Sequence, residues 1–116
     1  MMHGLMMDTP LLITEIMRFA ERNFAACEVV SVTFDNPRHR TNLGEVFRRA
    51  RMLANALQAA GVRQGDRVAT LAWNGYRHME LYFAVSGAGS VLHTINPRLH
   101  PEQIAWIANH AEDRAM

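Results

Sequence analysis

The chain has 116 residues and a mass of 13.1 kDa, enough material for one domain and too little for two. Hydrophobic residues make up 49% and charged residues 20%, proportions of an ordinary globular chain that exclude disorder. A net charge of +1, with 12 arginines and no lysine, excludes a strongly basic nucleic-acid surface. It also excludes Schiff-base chemistry, because arginine stays protonated.

Cys27 is the single cysteine, so neither an internal disulfide nor a multi-cysteine zinc site can form. The stretch from Met1 to Ile13 lacks a basic leader followed by an unbroken apolar run, so no secretory signal is expected there. The longest charge-free apolar stretch, about Leu81 to Leu92, is too short for a bilayer core of roughly 30 Å. A cytoplasmic location is the expectation.

In chain order, Ile13, Ile16, Met17, Ala20 and Phe24 recur at helical spacing, with Thr14 predicted as N-cap. Glu28 to Phe34 is predicted as a strand on its Val29, Val30, Val32 and Phe34. A turn at Asp35-Asn36-Pro37 leads to a short return strand, His39 to Thr41. Leu43 to Ala60 carries the strongest helical stripe: Leu43, Val46, Phe47, Ala50, Leu53, Ala54 and Leu57. Asn42 and Glu45 stand at capping-box spacing, and Gly61 is placed for a left-handed C-cap. Arg48, Arg49 and Arg51 fall on the polar side of this helix and read as a solvated face.

Gly65-Asp66 then turns the chain into a strand, Arg67 to Trp73, apolar enough for burial on both faces. Tyr76 to Ser86 is predicted as a helix with Asn74 as N-cap, broken at Gly87-Ala88-Gly89. Ser90 to Ile95 is predicted as a second strand of this type. Pro101 opens a last helix, Glu102 to Ala111, with Ile104, Ile107, Ala108 and Ala111 inward. The order helix, hairpin, helix, strand, helix, strand, helix predicts an α/β fold with parallel later strands. At Asp113 to Met116 the alternation calls for a further strand that has no room. Two parallel strands make a poor independent core, so a fragment is expected.

The chemical motifs are few. Gly87-x-Gly89 has the wrong polarity for a dinucleotide turn, which must follow a strand and open a helix. His3, His39, His78, His93, His100 and His110 show no metal-ligand spacing. Ligands in open α/β sheets gather at the carboxyl ends of strands. On that ground Asn74, His93 and Asn96 are the candidate site residues, with capping and turn formation the plainer roles of the two asparagines. Trp73, Tyr76, Tyr82, Phe83 and Trp106 are not interleaved with basic residues and read as packing groups rather than a base-stacking platform. Met1, Met2, Met6 and Met7 are read as uncertain initiation or flexible packing. Neither a Ser/His/Asp nor a Cys/His nucleophile arrangement is defensible.

Taken as strings, several segments resemble the start of acyl-CoA synthetases, the adenylate-forming AMP-binding ligases. These are Gly65-Asp66-Arg67-Val68-Ala69-Thr70-Leu71-Ala72-Trp73-Asn74, Glu80 to Ala84 and Val91-Leu92-His93-Thr94-Ile95-Asn96-Pro97-Arg98-Leu99. Pro101 to Ala105 and Asn109 to Arg114 continue the likeness, which is closest to medium- and long-chain fatty-acid ligases. Asn42-Leu43-Gly44-Glu45 departs from the usual aromatic-containing helix entry. The resemblance implies that residues 1–116 are the N-terminal part of the AMP-binding (adenylation) domain, with the rest of that domain and a C-terminal lid domain absent. It implies a parent that uses ATP, Mg²⁺ and coenzyme A on a fatty acid. The family's phosphate loop, acidic nucleotide contacts and catalytic lysine have no counterpart here, so no catalytic, cofactor-binding or metal residue is carried over. The expected partner is the remainder of the ligase polypeptide, with no nucleic acid and no transmembrane segment; oligomeric state is left open. Two other readings stand beside this one: a stand-alone interaction module using an exposed sheet edge, and a small nucleotide-binding α/β protein.

Overall fold

The computed structural model describes residues 4, 5 and 7–116. Met1, Met2, His3 and Met6, and with them most of the methionine-rich start, lie outside the described residues. The elements are α1 (Ile13–Phe24), β1 (Glu28–Ser31), β2 (His39–Asn42), α2 (Leu43–Ala59), β3 (Arg67–Leu71), α3 (Tyr76–Gly87), β4 (Val91–Ile95) and α4 (Pro101–His110). β1 and β2 pair antiparallel and β3 and β4 pair parallel, the α/β arrangement that the alternation of strands and helices predicts.

α2 forms where its stripe is clearest. Val46, Phe47 and Ala50 are fully buried and meet Met17 of α1 and Ala84 of α3 in one cluster. The Phe47 and Phe83 rings pack edge to face at 5.0 Å, the arrangement favoured by the ring quadrupole. Asn42 Oδ1 accepts the Glu45 N–H at 2.9 Å, as the capping-box spacing predicts. The reciprocal arm is not made, because both Glu45 oxygens are held by Arg48. The arginine face is more than solvated: Arg48 pairs with Glu45, Arg49 with the buried Glu80, and Arg51 with Glu21. The last two tie α2 to α3 and to α1.

Three helices end in the same motif. After α2, Gly61 takes φ +94°, its N–H donates to Gln58 O and the Val62 N–H donates to Leu57 O, a Schellman closure. After α3 it is Gly89, at φ +77°, that stops the chain, with Ser90 N–H donating to Val85 O. Gly87 remains helical. After α4 the left-handed position is Glu112, φ 54°, a residue with a Cβ. Arg67 grips that turn, bonding Ala111 O and the Glu112 carboxylate.

Several boundaries differ from expectation. Thr14 is not an N-cap: Leu12 precedes the helix and no side chain caps it. Asn74 is not the cap of α3 either, since Gly75 occupies that place with no side-chain bond. β1 stops at Ser31 rather than Phe34, because Thr33 folds back. Its N–H donates to Asn36 O at 3.0 Å and its hydroxyl to Asp35 Oδ1 at 2.8 Å, so the local turn outcompetes the ladder. The cap of α4 is His100, whose Nδ1 accepts the Glu102 N–H while Gln103 Oε1 accepts the His100 N–H. Trp73 and Trp106 are not packing groups; they are 65% and 64% exposed.

β3 is buried on both faces as expected, through Val68, Ala69 and Thr70. The further strand that the alternation calls for does begin. Arg114 N–H donates to Arg67 O and Ala69 N–H to Ala115 O, each at 2.8 Å, and Val68 and Ala115 form a parallel bridge. β3 therefore has neighbours on both sides, β4 on one and the chain end on the other.

Candidate functional site

The carboxyl ends of β3 and β4 open into a cleft of 410 Å³, walled in part by Trp73, Asn74, His78, Tyr82, Asn96 and Arg98. Two of the three candidate residues stand there. Asn74 is three residues beyond the end of β3. Asn96 follows β4 directly, and its Oδ1 accepts the Arg98 N–H at 3.0 Å, a turn bond that aims Arg98 toward Trp73. The guanidinium lies 5.1 Å from the Trp73 ring centre, within cation–π range.

His93, the third candidate, is not at a strand end. It is the middle residue of β4, opposite Ala69, and its Nδ1 lies 2.8 and 3.0 Å from the two oxygens of Asp113. The Asp113 side chain is almost wholly buried. This pair anchors the turn after α4 to β4, and the structure does not bring His93 together with Asn74 and Asn96.

A second cavity, of 560 Å³, lies between α1 and α3. Its walls are Ile13, Ile16, Met79 and Phe83, with Asn74, His78 and Tyr82 shared with the cleft. His78 is only 6% exposed. Its Nε2 is 3.0 Å from the buried Thr70 hydroxyl, while its Nδ1 is buried with no hydrogen-bond partner among the described residues. A buried polar atom without a partner is uncommon in a folded protein. The one sequence signal for His78 is its place on a helical stripe with Tyr82 and Val85, which by itself reads as packing.

Beside this region the β1–β2 turn docks on α3. His39 stacks on Tyr76 at 3.6 Å between ring centres, and Arg77 pairs with Asp35 at 3.0 Å. Hydrogen bonds from Arg77 and from the Thr33 hydroxyl bring the Asp35 carboxyl down to about 2 from an ordinary 3.8.

The residues present do not fit a bound nucleotide or its metal. Among the described residues no three His, Cys, Asp or Glu side chains are grouped to hold an ion. Gly87 and Gly89 close a helix instead of opening one, and no carboxylate walls either cavity. No step of nucleotide chemistry is assigned to these side chains.

The AMP-binding enzyme family matches residues 19–116. The chain belongs to that family. A 3-methylmercaptopropionyl-CoA ligase of Ruegeria lacuscaerulensis is 50% identical over 115 residues, covering 99% of this chain and 21% of that protein. The long-chain-fatty-acid–CoA ligase of Thermus thermophilus is 51% identical over 111 residues, 96% of this chain and 20% of its own. The medium-chain-fatty-acid–CoA ligase of Ectopseudomonas oleovorans is 50% identical over 115 residues, again 99% and 21%. The chain thus spans about a fifth of the length of these relatives. The fold is shared with the N-terminal domain of FACL13 from Mycobacterium tuberculosis, at a TM-score of 0.81 and 24% identity over 90% of this chain and 26% of that one. This member of the AMP-binding family is homologous to the N-terminal part of acyl-CoA ligases. No described helix is long and apolar enough to cross a membrane.

Proposed function

We propose that residues 1–116 are the N-terminal part of the AMP-binding domain of a fatty-acid–CoA ligase, working in the cytoplasm with the remainder of the ligase polypeptide as partner. The observation that supports this reading is identity near 50% to three acyl-CoA ligases across almost the whole chain, in proteins about five times as long. In the parent reaction ATP and a carboxylate give an acyl-adenylate and pyrophosphate. The coenzyme A thiol then displaces AMP, a far better leaving group than hydroxide. Mg²⁺ supplies charge for the phosphates in the first step.

The described chain contributes scaffold to that reaction. α2 and α3 form the packed layer behind β3 and β4, and the turns after those strands hold Asn74 and Asn96 at their carboxyl ends. With no phosphate-cradling loop and no lysine, the 116-residue chain is expected to make no acyl-adenylate. The test is fatty-acid-dependent ATP–pyrophosphate exchange by the purified chain: background rates are the expected result, and a signal that saturates with fatty acid overturns the reading. The native product isolated from source cells is expected to have a mass several times 13.1 kDa; a mass at that value overturns the placement in a longer ligase.

A further inference from the structure

The cavity between α1 and α3 and the cleft at the strand ends meet at Asn74, His78 and Tyr82. Together they make a recess with one apolar and one polar end. Ile13, Ile16, Met79 and Phe83 wall the apolar end; Asn96 and Arg98 stand at the polar end. Its volumes, 560 and 410 Å³, fall in the range of roughly 300–1,000 Å³ of small-molecule sites.

The polar groups of the recess agree in sign. Arg98 is a permanent cation, the Asn74 amide is a donor, and neither wall contains Asp or Glu. His78 adds a third donor. Its Nε2 is engaged by the Thr70 hydroxyl; when that hydroxyl donates, the ring proton resides on Nδ1, the buried atom that has no partner. A buried N–H without an acceptor is costly, and an acceptor of negative charge relieves it best. Apolar walls at one end and donors with a cation at the other fit a molecule with an aliphatic tail and an anionic head.

We propose that this recess binds a medium-chain aliphatic carboxylate, with the head on His78 Nδ1–H and the Asn74 amide under the field of Arg98. The tail lies along Ile13, Ile16, Met79 and Phe83. The choice of a fatty carboxylate among amphipathic anions rests on the ligase reading above; the recess and its polarity do not. Binding needs no ATP, so it fails or succeeds separately from adenylate formation.

The test is a ¹H–¹⁵N spectrum of the 116-residue chain titrated with octanoate in the absence of nucleotide. Saturable shifts centred on Asn74, His78, Tyr82 and Phe83 are expected, with octanol and acetate each binding at least about tenfold more weakly for want of a head or a tail. His78→Gln, whose amide replaces Nε2, should weaken octanoate by about tenfold, whereas His78→Asn, whose amide replaces Nδ1, should retain most of the affinity. Trp106→Ala, on α4 and outside the recess, should leave it unchanged. Absence of saturable shifts, equal affinity for octanol, or equal loss in both His78 variants overturns the proposal. So does a spectrum without dispersion, or the same shifts produced by raising protein concentration alone.

Discussion

Asp35 sits in a turn that the sequence marks plainly with Asp-Asn-Pro, yet its electrostatic partner, Arg77, is 42 residues away. Because folding lowers the Asp35 carboxyl to about 2 from 3.8, its contribution to stability is present above the ordinary value and fades as pH falls from there through the lowered one. An NMR titration should find Asp35 half-protonated near pH 2 in the native chain and close to 3.8 in Arg77→Ala; an unmoved midpoint would remove Arg77 as the cause. The side chain is fully exposed, so the effect belongs to the titration curve more than to global stability. The candidate residues divide in the same way. Asn74 and Asn96 are legible as strand-end residues, because each follows an apolar run at a turn signal. His93 was misplaced because strand length is set by pairing with β3, and its partner Asp113 arrives from a turn that no local pattern connects to it. His78 was unreadable as a buried, half-partnered ring: its Thr70 contact exists only when α3 lies on β3.

At the level of elements, local signals serve best where they agree with packing. The α2 stripe, its Asn42 cap and its Gly61 stop all point to one helix, and the helix spans Leu43–Ala59. Gly61→Ala tests the stop. No atom crowds a Cβ there, so the cost is that of a left-handed backbone alone, about 1–2 kcal/mol. Urea unfolding should show that loss at an unchanged m-value; a change below about 0.3 kcal/mol would mean the turn has relaxed out of the left-handed region. Local signals failed where a side chain offered the backbone a competing bond. Thr33 ends β1 three residues early, and His100 caps α4 although histidine is an uncommon cap. Thr14 and Asn74 have the composition of caps, but each lies one residue away from the position whose backbone needs one.

For the molecule as a whole, the α/β order and the family were legible before any coordinates, because strand and helix periods differ and because the turn strings after β3 and β4 are specific. The direction of sheet growth was not. Residues 114–115 add to β3 on the side away from β4, which makes β3 an interior strand. Removing Arg114 to Met116 should speed amide exchange at Ala69 by about tenfold through loss of its bond to Ala115 O. Val91, bonded to Asp66 O, should keep its rate. Equal acceleration at both would indicate general loosening instead. Periodicity and turn chemistry act over a few residues, so composition, element order, the α2 helix and its two ends could be read from the chain alone. Which strand is interior, which charges meet across α1, α2 and α3, and which histidine is buried against Thr70 depend on contacts between residues far apart in sequence, and these exist only once burial of the shared core has brought the elements together.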